Sequence, residues 1–142
     1  MDFQEYLYKS LKRYETSLKM EDIIIIEEKE KMKNLIEFSE FLEIEKKLEI
    51  KIGKVTNVED VPKSNKLIKL TVNFGTETRT VVTNIKPLLS DPQSLVSMIF
   101  PFITNLKPVT MMGIESTAMI MPGEIEKGDM ITVNGNPGTK LF

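Results

Sequence analysis

Hydrophobic positions change their spacing near residue 47, and the change divides the chain into two regions. Before it, Phe3, Tyr6, Leu7, Leu11, Tyr14 and Leu18 recur at helical intervals. That spacing gathers side chains on one face of an α-helix, so residues 3–19 are predicted to form an amphipathic helix whose stripe is a packing face. Residues 21–37 carry two conflicting signals. Ile23, Ile24, Ile25 and Ile26 favour a strand through β-branching, whereas the charged run from Glu27, with Glu27 and Lys31 one helical turn apart, favours a helix. Ser39 is placed to cap a short helix over residues 40–46.

After residue 47 the period shortens to two. Leu48, Ile50, Ile52, Val55 and Val58 alternate as in a half-buried strand, interrupted at Gly53, where a bulge or sharp bend is expected. Residues 61–65 read as a turn. Leu67, Ile68, Leu70, Val72 and Phe74 give a second strand ending at Gly75, and residues 78–85 a third, joined to the second as a hairpin. Pro87 and Pro92 punctuate a stretch read as a turn with a short helix over residues 86–95. Residues 98–106 form a fourth strand, in which Pro101 implies an edge or bulged position. Residues 116–121 form a fifth, and residues 130–133 a further short one. Five main strands with a short helix between the third and fourth match the five-stranded, partly open OB-fold barrel. The expected architecture is therefore mostly β: an OB-fold domain over residues 48–142, preceded by a helical, acidic N-terminal extension over residues 1–47.

Composition narrows the chemistry. The 142 residues contain no Cys, no His and no Trp. A structural zinc site, a thiolate nucleophile, a disulfide framework and an imidazole base are thereby excluded. No catalytic residue, metal ligand or cofactor is assigned, and an enzyme is not expected. No segment has the length of apolar sequence needed to cross a bilayer, and the N-terminus lacks the signal-peptide pattern. The expectation is a cytoplasmic protein without a membrane partner. The net charge of −2 is unevenly spread: residues 1–47 hold 9 Lys/Arg against 12 Asp/Glu, and residues 48–142 hold 10 against 9. The barrel region is close to neutral, which leaves room for local basic patches and argues against tight, purely electrostatic binding.

Six motifs then occur in order. They are Ile50-Lys51-Ile52-Gly53-Lys54-Val55, Pro62-Lys63-Ser64-Asn65-Lys66-Leu67 and Arg79-Thr80-Val81-Val82-Thr83-Asn84-Ile85, followed by Asn105-Leu106-Lys107-Pro108, Gly113-Ile114-Glu115-Ser116-Thr117-Ala118-Met119-Ile120 and Asn136-Pro137-Gly138-Thr139-Lys140-Leu141. Together they resemble the tRNA-binding domain family, which includes free-standing tRNA-binding proteins and the C-terminal domain or β-subunit of methionyl-tRNA synthetase. The resemblance covers roughly residues 48–142. It implies shape-directed binding of folded tRNA, a homodimer built through the terminal Pro137 to Leu141 segment, and methionyl-tRNA synthetase as a possible partner. The missing His also rules out the HIGH motif of a class I synthetase active site.

The tRNA-binding residues implied are Lys54, Lys63, Ser64, Asn65, Lys66, Arg79, Thr83, Asn84, Asn105, Lys107, Ser116 and Met119. Residues 63–66 offer two ammonium groups, a hydroxyl and an amide suited to phosphate and ribose, although residue types alone favour an ordinary polar turn. Asn105 and Lys107 precede Pro108 at the end of a strand, again a turn composition. Met119 serves either ligand contact or core packing. The chain departs from the family pattern at Val61 (usually His), Asn65 (Asp), Asn84 (Gly), Met112 (a basic residue) and Ala118 (Gly). Two other readings stay open. One is a dimeric peptide-binding chaperone of the same fold family, suggested by Met111, Met112, Met119 and Met121. The other is an assembly scaffold for a synthetase that binds no RNA.

Overall fold

A computed structural model of the protein describes residues 32–142. The predicted helix over residues 3–19, and residues 21–31 of the ambiguous stretch, lie outside the described residues. Residues 33–37 adopt neither helix nor strand. Helix α1 then runs Phe38–Lys47. Its first rung is the N–H of Phe41 donating to Glu37 C=O at 3.1 Å, so Ser39 stands inside the first turn and does not cap it. The chain separates into two compact units, Met1–Phe41 and Leu42–Phe142. Among the described residues no helix is long and apolar enough to cross a membrane.

Within the second unit an antiparallel five-stranded sheet curls into a nearly closed barrel. Strand β1 (Ile50–Asp60) is its axis. The first half of β1 pairs with β4 (Ile99–Ile103) and the second half with β2 (Ile68–Asn73); Lys54 faces Ile99 on one side and Asn73 on the other. β2 pairs in turn with β3 (Thr78–Thr83), in register from Ile68 opposite Thr83 to Asn73 opposite Thr78. A three-residue strand, β5 (Val109–Met111), forms a hairpin with β6 (Ile114–Ser116), and β7 (Met119–Ile120) returns to β4. A last small hairpin joins β8 (Gly123–Glu124) to β9 (Asp129–Met130). The sheet order is β3-β2-β1-β4-β7.

The two-residue period is regular in β2 and gives way to runs of buried residues in β3 and β4. β2 alternates buried and half-buried positions along its length. Val55, Ile68, Leu70, Val72, Val81, Phe100 and Phe102 fill the barrel with 0% of their surface exposed, and the Phe74 and Phe102 rings meet edge-on at 5.3 Å. Such density leaves no room where β1 crosses the β2 end. A Cβ on Gly53 would come within 2.5 Å of Val72 Cγ1 and 2.7 Å of Phe74 Cε1. Gly53 is thus a close-approach residue, and the bulge expected there falls later: the register of β1 slips between Val55 and Asn57.

Three further expectations are corrected. In place of the expected turn with a short helix within residues 86–95 stand two single 3-10 turns, Lys86–Leu88 and Pro92–Leu95, because each proline opens a new turn. β4 is an interior strand, and Pro101 is paired in register with Ile52. Its bare nitrogen lies on the β7 side, where the Pro101 carbonyl alone is bonded, accepting from Met121 N–H at 2.9 Å just past the end of β7. The predicted fifth strand is split into β6 and β7, since the chain changes partner at Thr117 and Ala118. Thr117 N–H donates to Thr80 C=O at 3.1 Å, and Ser116 Oγ accepts from Val82 N–H at 3.0 Å while donating to Ala118 C=O at 3.2 Å. These bonds close the barrel along β3.

The C-terminal segment covers the other edge of the first half of β1. Ile52 N–H donates to Thr139 C=O at 2.9 Å, and Gly138 and Leu141 N–H donate to Ile52 and Ile50 C=O at 2.8 Å. Glu49 ties this edge down: its carboxylate accepts from the Thr104 hydroxyl at 2.7 Å and pairs with Lys51 at 3.5 Å and Lys140 at 3.7 Å. The Thr104 hydrogen bond foremost, then the two lysines against some desolvation, hold Glu49 below the ordinary glutamate value of 4.5.

Two outcomes are expected. Gly53→Ala overpacks the barrel and should lower stability by roughly 1–3 kcal/mol, read as a lower urea midpoint at unchanged m-value. The contribution of Glu49 is complete above pH 4.5 and is lost as pH falls through its lowered value. Glu49→Gln should therefore narrow the stability difference between neutral pH and about pH 3, measured by denaturant titration at each pH.

Candidate nucleic-acid interface

The loop between β1 and β2 is built by its own side chains. Pro62 fixes the second position of a turn closed by Ser64 N–H donating to Val61 C=O at 3.1 Å. The third position, Lys63, has φ +65°, a left-handed conformation that costs a side chain other than glycine on the order of 1 kcal/mol. Ser64 Oγ then accepts from Leu67 N–H at 3.0 Å and Lys66 N–H at 3.3 Å. Ser64 is consumed in shaping the loop, while Lys63, Asn65 and Lys66 point into solvent.

Strand register decides what lies beside this loop. Asp60, Ile68 and Thr83 are aligned across β1, β2 and β3, so the loop emerges next to Thr83 and Asn84. Asn84 is exposed and Thr83 is 9% exposed. Lys86 pairs with Asp60 at 2.9 Å and ties the end of β1 to the turn that follows β3.

Along the seam between β3 and the β5–β6 hairpin runs an open cleft of about 160 Å³. Val82, Met111 and Ala118 form its apolar walls, with Leu106, Lys107, Val109 and Met119 at exposed positions. The hairpin turns through Met112 (φ +50°) and Gly113 (φ +80°), the two left-handed residues that a two-residue type I′ turn demands. Among the described residues Lys54, Lys63, Lys66 and Lys107 make no ion pair. No group of three or more His, Cys, Asp or Glu among them could hold a metal ion.

The structure therefore gathers Lys63, Asn65, Lys66 and Asn84 at one end of the barrel, and sets Lys107 and Met119 on the adjoining cleft. Other predicted residues are structural. Ser116 is 7% exposed and both its hydrogen-bonding directions go to the seam. Arg79 donates from Nη1 to Thr104 C=O at 2.7 Å and to Thr117 C=O at 3.1 Å. The same guanidinium pairs with Glu77 at 2.8 Å and lies 5.7 Å above the Phe74 ring. It clamps the barrel shut and has little left to give a phosphate. Asn105 accepts from Glu49 N–H at 2.9 Å and donates to Lys47 C=O, fixing the passage from α1 into β1. Lys54 sits at the far end of β2, opposite Asn73, about 20 Å of strand from the loop at ~3.3 Å per residue.

Leu106, Val109 and Val82 belong to no site residue read from the sequence, yet they line the cleft. The three-residue β5 following Pro108 is too short to show a period. The usable signal was Met112-Gly113, a turn pair flanked by residues able to form a hairpin.

The model of the tRNA binding domain family matches residues 50–140. The methionine–tRNA ligase of Deinococcus radiodurans is 41% identical over 95 residues, covering 67% of this chain and 13% of the ligase. That of Thermotoga maritima is 38% identical over 100 residues, covering 67% and 15%. The chain thus spans less than a fifth of the length of these relatives. Among solved structures, the MetRS-related protein from Pyrococcus horikoshii is similar at 34% identity and a TM-score of 0.65, over 78% of this chain and 100% of that one. The chaperone CsaA from Bacillus anthracis is similar at 25% identity and a TM-score of 0.58, over 77% and 100%.

Ser116→Ala should orphan the buried Val82 N–H and lower stability by about 1–3 kcal/mol in urea titration. Lys66→Ala, which removes no hydrogen bond made by the side chain, should leave the same midpoint in place.

Proposed function

The chain belongs to the tRNA binding domain family, and on that premise we propose that residues 48–142 act as an accessory, non-catalytic tRNA-binding module. The observation that carries this reading is the cluster of exposed Lys63, Asn65, Lys66 and Asn84 at one barrel end, with Lys107 on the adjoining cleft. These groups suit phosphate oxygens and ribose hydroxyls on a folded RNA, a mode of recognition that follows shape with little base readout. Phosphate contact from so few lysines on a near-neutral barrel gives modest, salt-sensitive affinity.

The partner is a methionyl-tRNA synthetase, by analogy with the relatives, and residues 1–47 are its docking extension. The module works as a homodimer in the cytoplasm. Ile131 and Leu141, at 50% and 55% exposure, supply apolar surface for a second copy. A peptide-binding chaperone is the second reading. It is favoured by the apolar cleft with Met119 and Met112 exposed beside it at 49% and 56%, and by the likeness to CsaA.

The test is titration of folded tRNA at two or more salt concentrations. Lys66→Ala with Lys107→Ala should reduce the slope of log K against log salt by about 1.5–2 and leave the thermal midpoint unchanged. An unaltered affinity and slope would remove the site; capture of an unfolded polypeptide with no tRNA binding would favour the chaperone.

A further inference from the structure

Resting on the tRNA-binding reading, we propose that the cleft between β3 and the β5–β6 hairpin receives one unpaired nucleobase of the bound RNA. Size is the first argument. An open cleft of about 160 Å³, well above the ~10–15 Å³ that one water needs, admits a single heterocyclic ring. The second argument is the distribution of polarity. The walls at Val82, Val109, Ala118 and Met119 are apolar, and Lys107 lines the same cleft, exposed and without an ion pair. A nucleotide has this division built in: a flat ring with two π-faces, tethered to a phosphate that stays outside with the ammonium.

The third argument concerns how a base is held. Phe74, Phe100 and Phe102 are at most 2% exposed, so these barrel rings offer no platform for stacking. Contact must come from aliphatic and thioether surface, of which Met119 is the most adaptable. The Ser116 hydroxyl is already spent on Val82 and Ala118, and the Thr117 hydroxyl donates to Thr80 C=O at 3.4 Å, so neither offers a free donor to a Watson–Crick edge. The cleft therefore tolerates any base and selects for one that is unpaired. Extruding a paired base costs a few kcal/mol, and a base already in a bulge or loop costs least. A shape-reading module thereby gains a preference for the loops of a folded RNA over plain duplex.

The experiment compares two RNA hairpins, identical except for one bulged nucleotide, on the full chain at about 100 mM salt. The bulged RNA should bind about tenfold tighter, and 2-aminopurine at the bulge should change emission on binding. Val109→Gln with Met119→Gln should shrink the contrast to under about twofold, with Met119→Ala as a milder second variant and thermal midpoints verifying folding. Equal binding of both hairpins by the unaltered protein overturns the proposal and leaves the tRNA-binding reading standing. No binding of either hairpin or of tRNA overturns both. Variants that keep the RNA contrast but lose capture of an unfolded polypeptide assign the cleft to peptide and overturn the proposal.

Discussion

Strand β1 serves two partners along one length, and the barrel closes only because it does. Antiparallel ladders have a fixed spacing, so a strand that leaves β4 and joins β2 must coil sharply near Lys54, where it faces both. Coiling drives its backbone onto Val72 and Phe74, and Gly53 is the residue that permits contact there. The slip between Val55 and Asn57 supplies the remaining twist. With β1 bent this way, its first half would present a bare edge to solvent. The C-terminal segment occupies that edge through Thr139, Gly138 and Leu141, and Glu49 ties Lys51 and Lys140 together across it.

Closure on the opposite side relies on side chains where a regular ladder is lacking. β6 and β7 are too short to pair with β3 along a full strand. Ser116 and Arg79 do the joining, one by bonding Val82 and Ala118, the other by bridging Thr104 and Thr117. This explains why a motif read as binding chemistry is partly scaffold. Sequence resemblance marks a position as characteristic of the fold family, and a seam bolt is as characteristic as a ligand contact. Only hydrogen-bond partners separate the two, and those depend on chain segments 25 and 38 residues apart for Arg79.

The strands themselves were legible because alternation is a local property. β2, β3 and β4 lie within the predicted ranges, but the two-residue period picks out the core-facing residues of β2 alone, since β3 and β4 each bury three residues in a row. What was illegible is where the chain changes partner. The switch at Thr117 and Ala118 has no turn residue to announce it, and the bulge sits beyond Gly53, where Thr56 looks like any strand residue. The candidate site was legible to a similar depth. Lys63, Asn65 and Lys66 were named through the family resemblance, since their composition alone reads as a polar turn, and the structure places all three at exposed positions. The cleft was not found, because Val82, Leu106 and Val109 come together only when the seam closes.

Among the described residues three other than glycine have positive φ, Lys63, Ser97 and Met112, and the first and last of them border the candidate site. Lys63 and Met112 adopt left-handed conformations that glycine or asparagine would take at less cost. The Lys63 turn sits at the loop end of the barrel, and the Met112 turn closes the hairpin whose strands border the cleft. In each case the residue with the larger side chain occupies the strained position, and the neighbouring geometry, Pro62 before one and Gly113 after the other, compels the turn. Strain of this kind persists where the surrounding structure fixes it, and it is concentrated at surfaces that must hold side chains out to solvent. An ammonium lifted on one turn and a thioether on the other give the barrel a charged contact and an apolar contact at different points. On the tRNA-binding reading proposed above, that pairing suits a ligand with phosphates on its outside and rings that can be turned outward, bound by a chain of net charge −2.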